Sequence, residues 1–133
     1  MTAQNDGTLL FRNTMRITEG HLDGFREAIA RAVDFAQRHG PQLMVQTFLD
    51  ERRMLAHSFQ LYRDSDAVRL HWRLADPYIA EVMEHCRVEH FEVFGEPDAE
   101  VAAGLRDVLA EHGTLVFSPR IAGFDRFTEA PRA

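Results

Sequence analysis

Five side chains have types and positions that could do chemistry: Asn13, His57, His71, Trp72 and Tyr78. Asn13 interrupts an alternating apolar row made by Phe11, Met15 and Ile17. A buried amide without partners costs about 1–3 kcal/mol. Asn13 must therefore bond something: nearby backbone, another side chain, or an oxygen of a bound molecule. Histidine titrates closest to neutral pH, which makes His57, His71 and His85 candidate proton acceptors. His57 alternates with Leu55, Phe59 and Leu61, so a hydrogen-bonded core role competes with a catalytic one. Trp72 is the only tryptophan and adjoins His71; Tyr78 follows six positions later, beyond Asp76-Pro77. An indole and a phenol beside one cavity can stack on a flat aromatic molecule, and the phenol can share a proton. Ordinary packing accounts for both rings as well, with the Tyr78 hydroxyl at the surface.

Other chemistries find little support. His85 stands four residues after Glu81, a spacing that suits two metal ligands on a helix, but two ligands do not make a site. No bound metal is expected. Cys86 is the single cysteine, which rules out an intramolecular disulfide and a cysteine zinc cluster. A phosphate-cradling glycine loop, a G-x-S-x-G elbow and an H-E-x-x-H pair are all missing. The formal charge of −6 argues against a broad nucleic-acid face. No stretch has the length of apolar residues that a membrane span needs, so a cytoplasmic protein is expected.

These residues need a scaffold, and the patterns supply one. The 133 residues, 45% hydrophobic and 27% charged, suit a single globular domain, expected over 8–127 with loose tails at 1–7 and 128–133. Leu9–Ile17 alternates as a strand, with Arg12, Thr14 and Arg16 on the face away from Phe11. Leu22, Phe25, Ile29, Val33 and Ala36 recur at helical spacing behind a Thr18 cap, and Gly40-Pro41 ends that helix. Leu43–Leu49 and Leu55–Tyr62 form a hairpin around Asp50–Arg53. Asp64 or Ser65 caps a second helix, which Asp76-Pro77 divides from a further helical stretch. Val88–Phe94 is a fourth strand, Pro97-Asp98 opens another helix, and Leu115–Phe117 is a short last strand. The order predicts an α+β, ferredoxin-like βαββαβ sandwich with an added C-terminal helix and strand. The mixed outer face of the first strand would be covered by a second copy, giving a homodimeric α/β barrel.

Three stretches resemble the antibiotic-biosynthesis monooxygenases and their dimeric α/β-barrel relatives. They are Asn13-Thr14-Met15-Arg16-Ile17-Thr18-Glu19-Gly20, then Tyr62-Arg63-Asp64-Ser65-Asp66-Ala67, then Phe94-Gly95-Glu96-Pro97 with Ala122-Gly123-Phe124. Their order and spacing run from Leu9 to Phe127. The resemblance implies a homodimer with a pocket between sheet and helices in each subunit. It further implies oxidation of a polycyclic phenol or anthrone by dioxygen, with no cofactor. Asn13 and Tyr78 would then hold substrate oxygens, Trp72 would stack on the rings, and His71 or His57 would accept a proton. A neighbouring branch degrades haem, and Asn13 and Trp72 match it, but its haem-ligating histidine would fall near Val82. The other class of function is a non-catalytic dimeric module that binds a small apolar ligand or a partner.

Overall fold

The computed structural model describes residues 7–111 and 113–126. Most of the two expected tails, Phe127 at the expected domain boundary, and His112 lie outside the described residues. Alternation in Leu9–Ile17 does produce a strand, β1, and it becomes the centre of the sheet. The remaining elements follow as α1 (Leu22–His39), β2 (Met44–Asp50), β3 (Leu55–Tyr62), α2 (Ser65–Met83), β4 (Cys86–Phe94), α3 (Ala99–Leu109) and β5 (Thr114–Ser118). The sheet order is β2-β3-β1-β4-β5, antiparallel except for β5, which runs parallel to β4. This is the ferredoxin-like arrangement extended by the α3–β5 unit. No helix among the described residues is long and apolar enough to cross a membrane.

Three local expectations are corrected. Pro77 does not divide α2, which is one helix of 19 residues. Proline removes the bond to the carbonyl four residues earlier; Arg73 and Pro77 are both exposed, so that carbonyl sits where water can reach it. Thr18 does not cap α1 through its side chain; the helix starts at Leu22, and the Thr18 carbonyl accepts the His21 N–H at 2.9 Å. Asp64 and Asp98 do cap α2 and α3, accepting the N–H groups of Ala67 and Val101 at 2.9 and 3.0 Å. On β3 the inward row is Ala56, Ser58, Gln60 and Tyr62; of the row Leu55, His57, Phe59 and Leu61 that the apolar alternation favours, only Leu61 is buried. Tertiary contact overrides the pattern there.

The core divides in two. One cluster holds Leu9, Phe11, Tyr62, Val68, Val93 and Leu105; the other holds Met15, Ile17, Phe25, Ala28, Ala56 and Val82. Asn13 stands on β1 between Phe11 of the first and Met15 of the second. The outer sheet face is mixed, as the sequence suggested. Arg12 lies 3.5 Å from Glu92, Arg16 pairs with Glu89, and Phe48 stays 51% exposed.

A register shift supplies that last ion pair. Thr14 faces His90 but Met15 faces Val88, so Glu89 is an extra residue on β4. The Glu89 backbone is packed directly against Gly113, which has φ +69° just before β5. A Cβ at position 113 would overlap the Glu89 carbonyl and lie 2.9 Å from the Val88 oxygen. Gly113→Ala should lower unfolding free energy by about 1–3 kcal/mol or more in a urea titration. A change within error would show that the β5 connection yields freely.

Candidate functional site

The gap between the two core clusters is a cavity under α1, α2 and α3. Its larger lobe, about 420 Å³, is walled by Phe11, Tyr62, Trp72, Phe91 and Leu105. Its smaller lobe, about 110 Å³, lies under Ala32, Ala36, Ala75 and Tyr78. Asn13, Gln60, His71, Ile79 and Met83 border both lobes. The combined space falls in the usual range of small-molecule sites.

Strand register and helix period position these groups. Asn13 faces Ser58 on β3, and Ser58 faces Thr47 on β2, so three polar residues cross the inner sheet face in one row. Above them, His71, Ala75, Tyr78 and Val82 form one stripe of α2 at spacings of three and four. The stripe survives only because the helix continues through Pro77. Trp72 turns toward the large lobe, and Gly104 on α3 makes room for it: a Cβ there would sit 2.9 Å from the indole. Tyr78 stacks on Phe35 with ring centroids 4.4 Å apart.

One hydrogen-bond chain links the polar groups. Tyr62 donates its hydroxyl proton to Gln60 Oε1. Gln42 Nε2 donates one proton to Gln60 Oε1 at 3.2 Å and the other to His71 Nδ1 at 3.0 Å. With Nδ1 accepting, the His71 ring proton sits on Nε2. Burial pushes the His71 pKa down to about 4, so the ring is neutral at neutral pH. Burial likewise raises the Tyr62 phenol above its ordinary range. Asn13 Oδ1 and Gln42 Oε1 are buried, and no group among the described residues donates to them.

The sequence matches no known family model and no curated protein. Solved structures do match in shape. MupZ from Pseudomonas fluorescens superposes with a TM-score of 0.71 at 19% identity, over 91% of this chain and 96% of that one. SnoaB, a cofactor-independent oxygenase from Streptomyces nogalater, gives 0.58 at 15% identity, over 71% and 97%. A candidate antibiotic biosynthesis monooxygenase from Chloroflexus aurantiacus gives 0.57 at 12% identity, over 65% and 90%. The chain has the fold of the antibiotic-biosynthesis monooxygenases. At these identities the likeness concerns the fold, and the side chains must speak for themselves.

Of the five residues singled out in the sequence, Asn13, His71, Trp72 and Tyr78 come together around this cavity. His57 does not. It projects from the opposite sheet face, where Nδ1 lies 3.3 Å from the Thr14 hydroxyl. His85 is absent from the cavity wall as well: its Nδ1 lies 3.1 Å from that of His21, while Glu81 pairs with Arg31. Val82 is a buried core residue at the position where the haem branch would need its ligand. Among the described residues no group of three or more His, Cys, Asp or Glu could hold a metal ion.

Sequence reasoning missed Gln42, Gln60, Tyr62 and Asp76. Asp76 is the one carboxylate bordering the large lobe, although it reads in sequence as part of a helix break. Gln60 and Ser58 carried a usable signal, since both fall in the even-numbered row of β3 with buried Ala56 and Tyr62. Gln42 carried none, because it lies between elements.

The neutral His71 also has a consequence for stability. Its folded pKa is about 4 against an ordinary 6.5, so between these values the unfolded chain binds more protons. Stability from this group is complete above pH 6.5 and is lost as the pH falls toward 4, by on the order of 3 kcal/mol. Urea unfolding of the wild type across that window should show this slope, and His71→Gln should remove most of it. Equal slopes in the two proteins would place the ring in contact with water.

Proposed function

We propose that the chain is an antibiotic-biosynthesis monooxygenase that oxidises a polycyclic phenol or anthrone with dioxygen, using no cofactor. One observation carries this reading: a cavity with aromatic walls brings Trp72, the neutral His71 and the Asp76 carboxylate to one lobe. Phe11, Trp72 and Phe91 offer flat apolar surfaces to a fused ring system. His71 cannot serve as the base, because its accepting nitrogen is taken by Gln42 and burial disfavours its cation. It serves instead as a donor, its Nε2–H stabilising the oxygen on which negative charge develops. Asp76, at the exposed edge of the lobe, accepts the proton. Asn13 holds a substrate oxygen at the junction of the lobes, and Tyr78 walls the smaller one.

The balance requires no outside reductant. Proton loss from the ring carbon gives a carbanion that reduces dioxygen. One oxygen atom stays on that carbon as a carbonyl, and the other leaves as water with the two hydrogens the carbon has lost. The substrate supplies all the electrons. We place this activity in the cytoplasm, where a lone thiol such as Cys86 stays reduced.

Hydroxylated anthrones should quench Trp72 fluorescence at micromolar concentration and drive uptake of one dioxygen per quinone formed. Asp76→Asn should lower that uptake by about 100-fold or more while leaving the quench in place. The same cavity also supports a second reading, a non-catalytic ligand-binding module, because the engaged and neutral His71 offers no ready base. Quenching without dioxygen uptake would select that module, and neither response would refute the ring-oxidation reading.

We propose further that two copies pair through their outer sheet faces. Exposed Phe48, half-buried Phe59 and the flanking ion pairs of Arg12 and Arg16 support this. Light scattering at tens of micromolar should give twice the chain mass, and a monomeric mass would refute the pairing.

A further inference from the structure

The small lobe carries polar groups, Thr47, Ser58 and Gln42, that the ring chemistry above does not use. Its floor is the polar row Asn13–Ser58–Thr47, laid across three strands. Its walls combine apolar side chains, among them Ala32, Ala36, Val45, Ala75 and Val82, with Gln42, Gln60, His71 and Tyr78. Within the row, the Thr47 hydroxyl donates to Ser58 Oγ at 3.4 Å, which leaves the Ser58 proton free to donate elsewhere. Asn13 Oδ1 is buried beside it with no donor, and Gln42 Oε1 is in the same condition on another residue of the lobe.

Each such oxygen costs about 1–3 kcal/mol until something donates to it. Dioxygen has no hydrogen to donate, and an alkyl tail would seal the oxygens in without partners. The lobe is small, about 110 Å³ against about 420 Å³ for its neighbour, so the fused rings fit the larger space and a short chain fits this one. A hydroxyl group meets all the conditions. It donates to Asn13 Oδ1 and accepts from Ser58, with its short carbon chain against the alanines.

We infer that the small lobe selects substrates carrying a short side arm that ends in a hydroxyl group. This rests on the reading that the large lobe holds the ring system. Asn13 then acts in specificity rather than in oxygen chemistry. The Gln42–His71 bond ties the arm's lobe to the ring's lobe, so an occupied small lobe places the ring beside His71.

The probes are two hydroxyanthrones, identical except that one bears a 3-hydroxypropyl arm and the other a propyl arm. Trp72 fluorescence should report at least tenfold tighter binding of the hydroxypropyl compound to the wild type. Asn13→Leu should collapse that ratio to about one. Ala36→Leu, which fills the lobe from α1 without touching the polar row, should do the same, so the result does not hang on one variant folding. Near-ultraviolet circular dichroism checks that Trp72 keeps its packing in each. Equal binding of the two compounds by the wild type would overturn the inference and leave the ring reading intact. If neither compound binds, the ring reading has failed, and the arm is tested alone. Titration with 1-propanol at millimolar concentration should then shift the side-chain amide NMR signals of Asn13 and Gln42. Unmoved signals would overturn the inference on its own terms.

Discussion

The structure turns on a row of polar side chains across the middle of a buried sheet face. Asn13, Ser58 and Thr47 lie side by side on β1, β3 and β2, and no apolar cluster can close over them without leaving hydrogen bonds unmade. The core accordingly condenses at the two ends of β1, around Phe11 and around Met15, and leaves space between. A site made this way is a by-product of core division. Its rigidity comes from the two clusters that flank it, which hold the floor and roof at fixed separation.

The roof depends on α2 remaining a single helix. His71, Ala75, Tyr78 and Val82 share a stripe only if the period of 3.6 residues runs unbroken past Pro77. The lost backbone bond falls on the exposed side of the helix, where water replaces it at small cost. Had the proline fallen on the buried stripe, the freed carbonyl would have entered the cavity as another unpaired acceptor. The position of one imino acid thus decides whether the cavity has a continuous wall.

Directionality in the hydrogen-bond chain gives the site its chemical character. Tyr62 can only donate to Gln60 Oε1, which obliges Gln42 to present its amide protons to Gln60 and to His71. His71 is left with its proton on Nε2 and with its cation disfavoured by burial. A low-dielectric setting strengthens every member of such a chain while raising the cost of any unpaired end. Gln42 Oε1 is left unpaired in that chain, and Asn13 Oδ1, outside the chain, is also without a donor among the described residues; the latter marks where a ligand's donor belongs.

By itself the sequence determined the order of the strands and principal helices, a cap at Asp64 or Ser65, a helix start at Pro97-Asp98, the inward face of β1 and the oddity of Asn13 within it. These are local matters of period and turn chemistry, which act over a few residues and need no knowledge of the fold. It also put His71 and Trp72 together, since adjacent positions on a helix cannot be far apart. What only the tertiary structure decided was which face of β3 turns inward. The apolar row with His57 faces outward, because β3 must pair with β1 in the register that buries Ala56 and Tyr62. That choice removed His57 from the site and brought in Ser58 and Gln60. Gln42 became part of the site for a similar reason: contacts far apart in the chain set its position, and no pattern of neighbours encodes a contact of that kind.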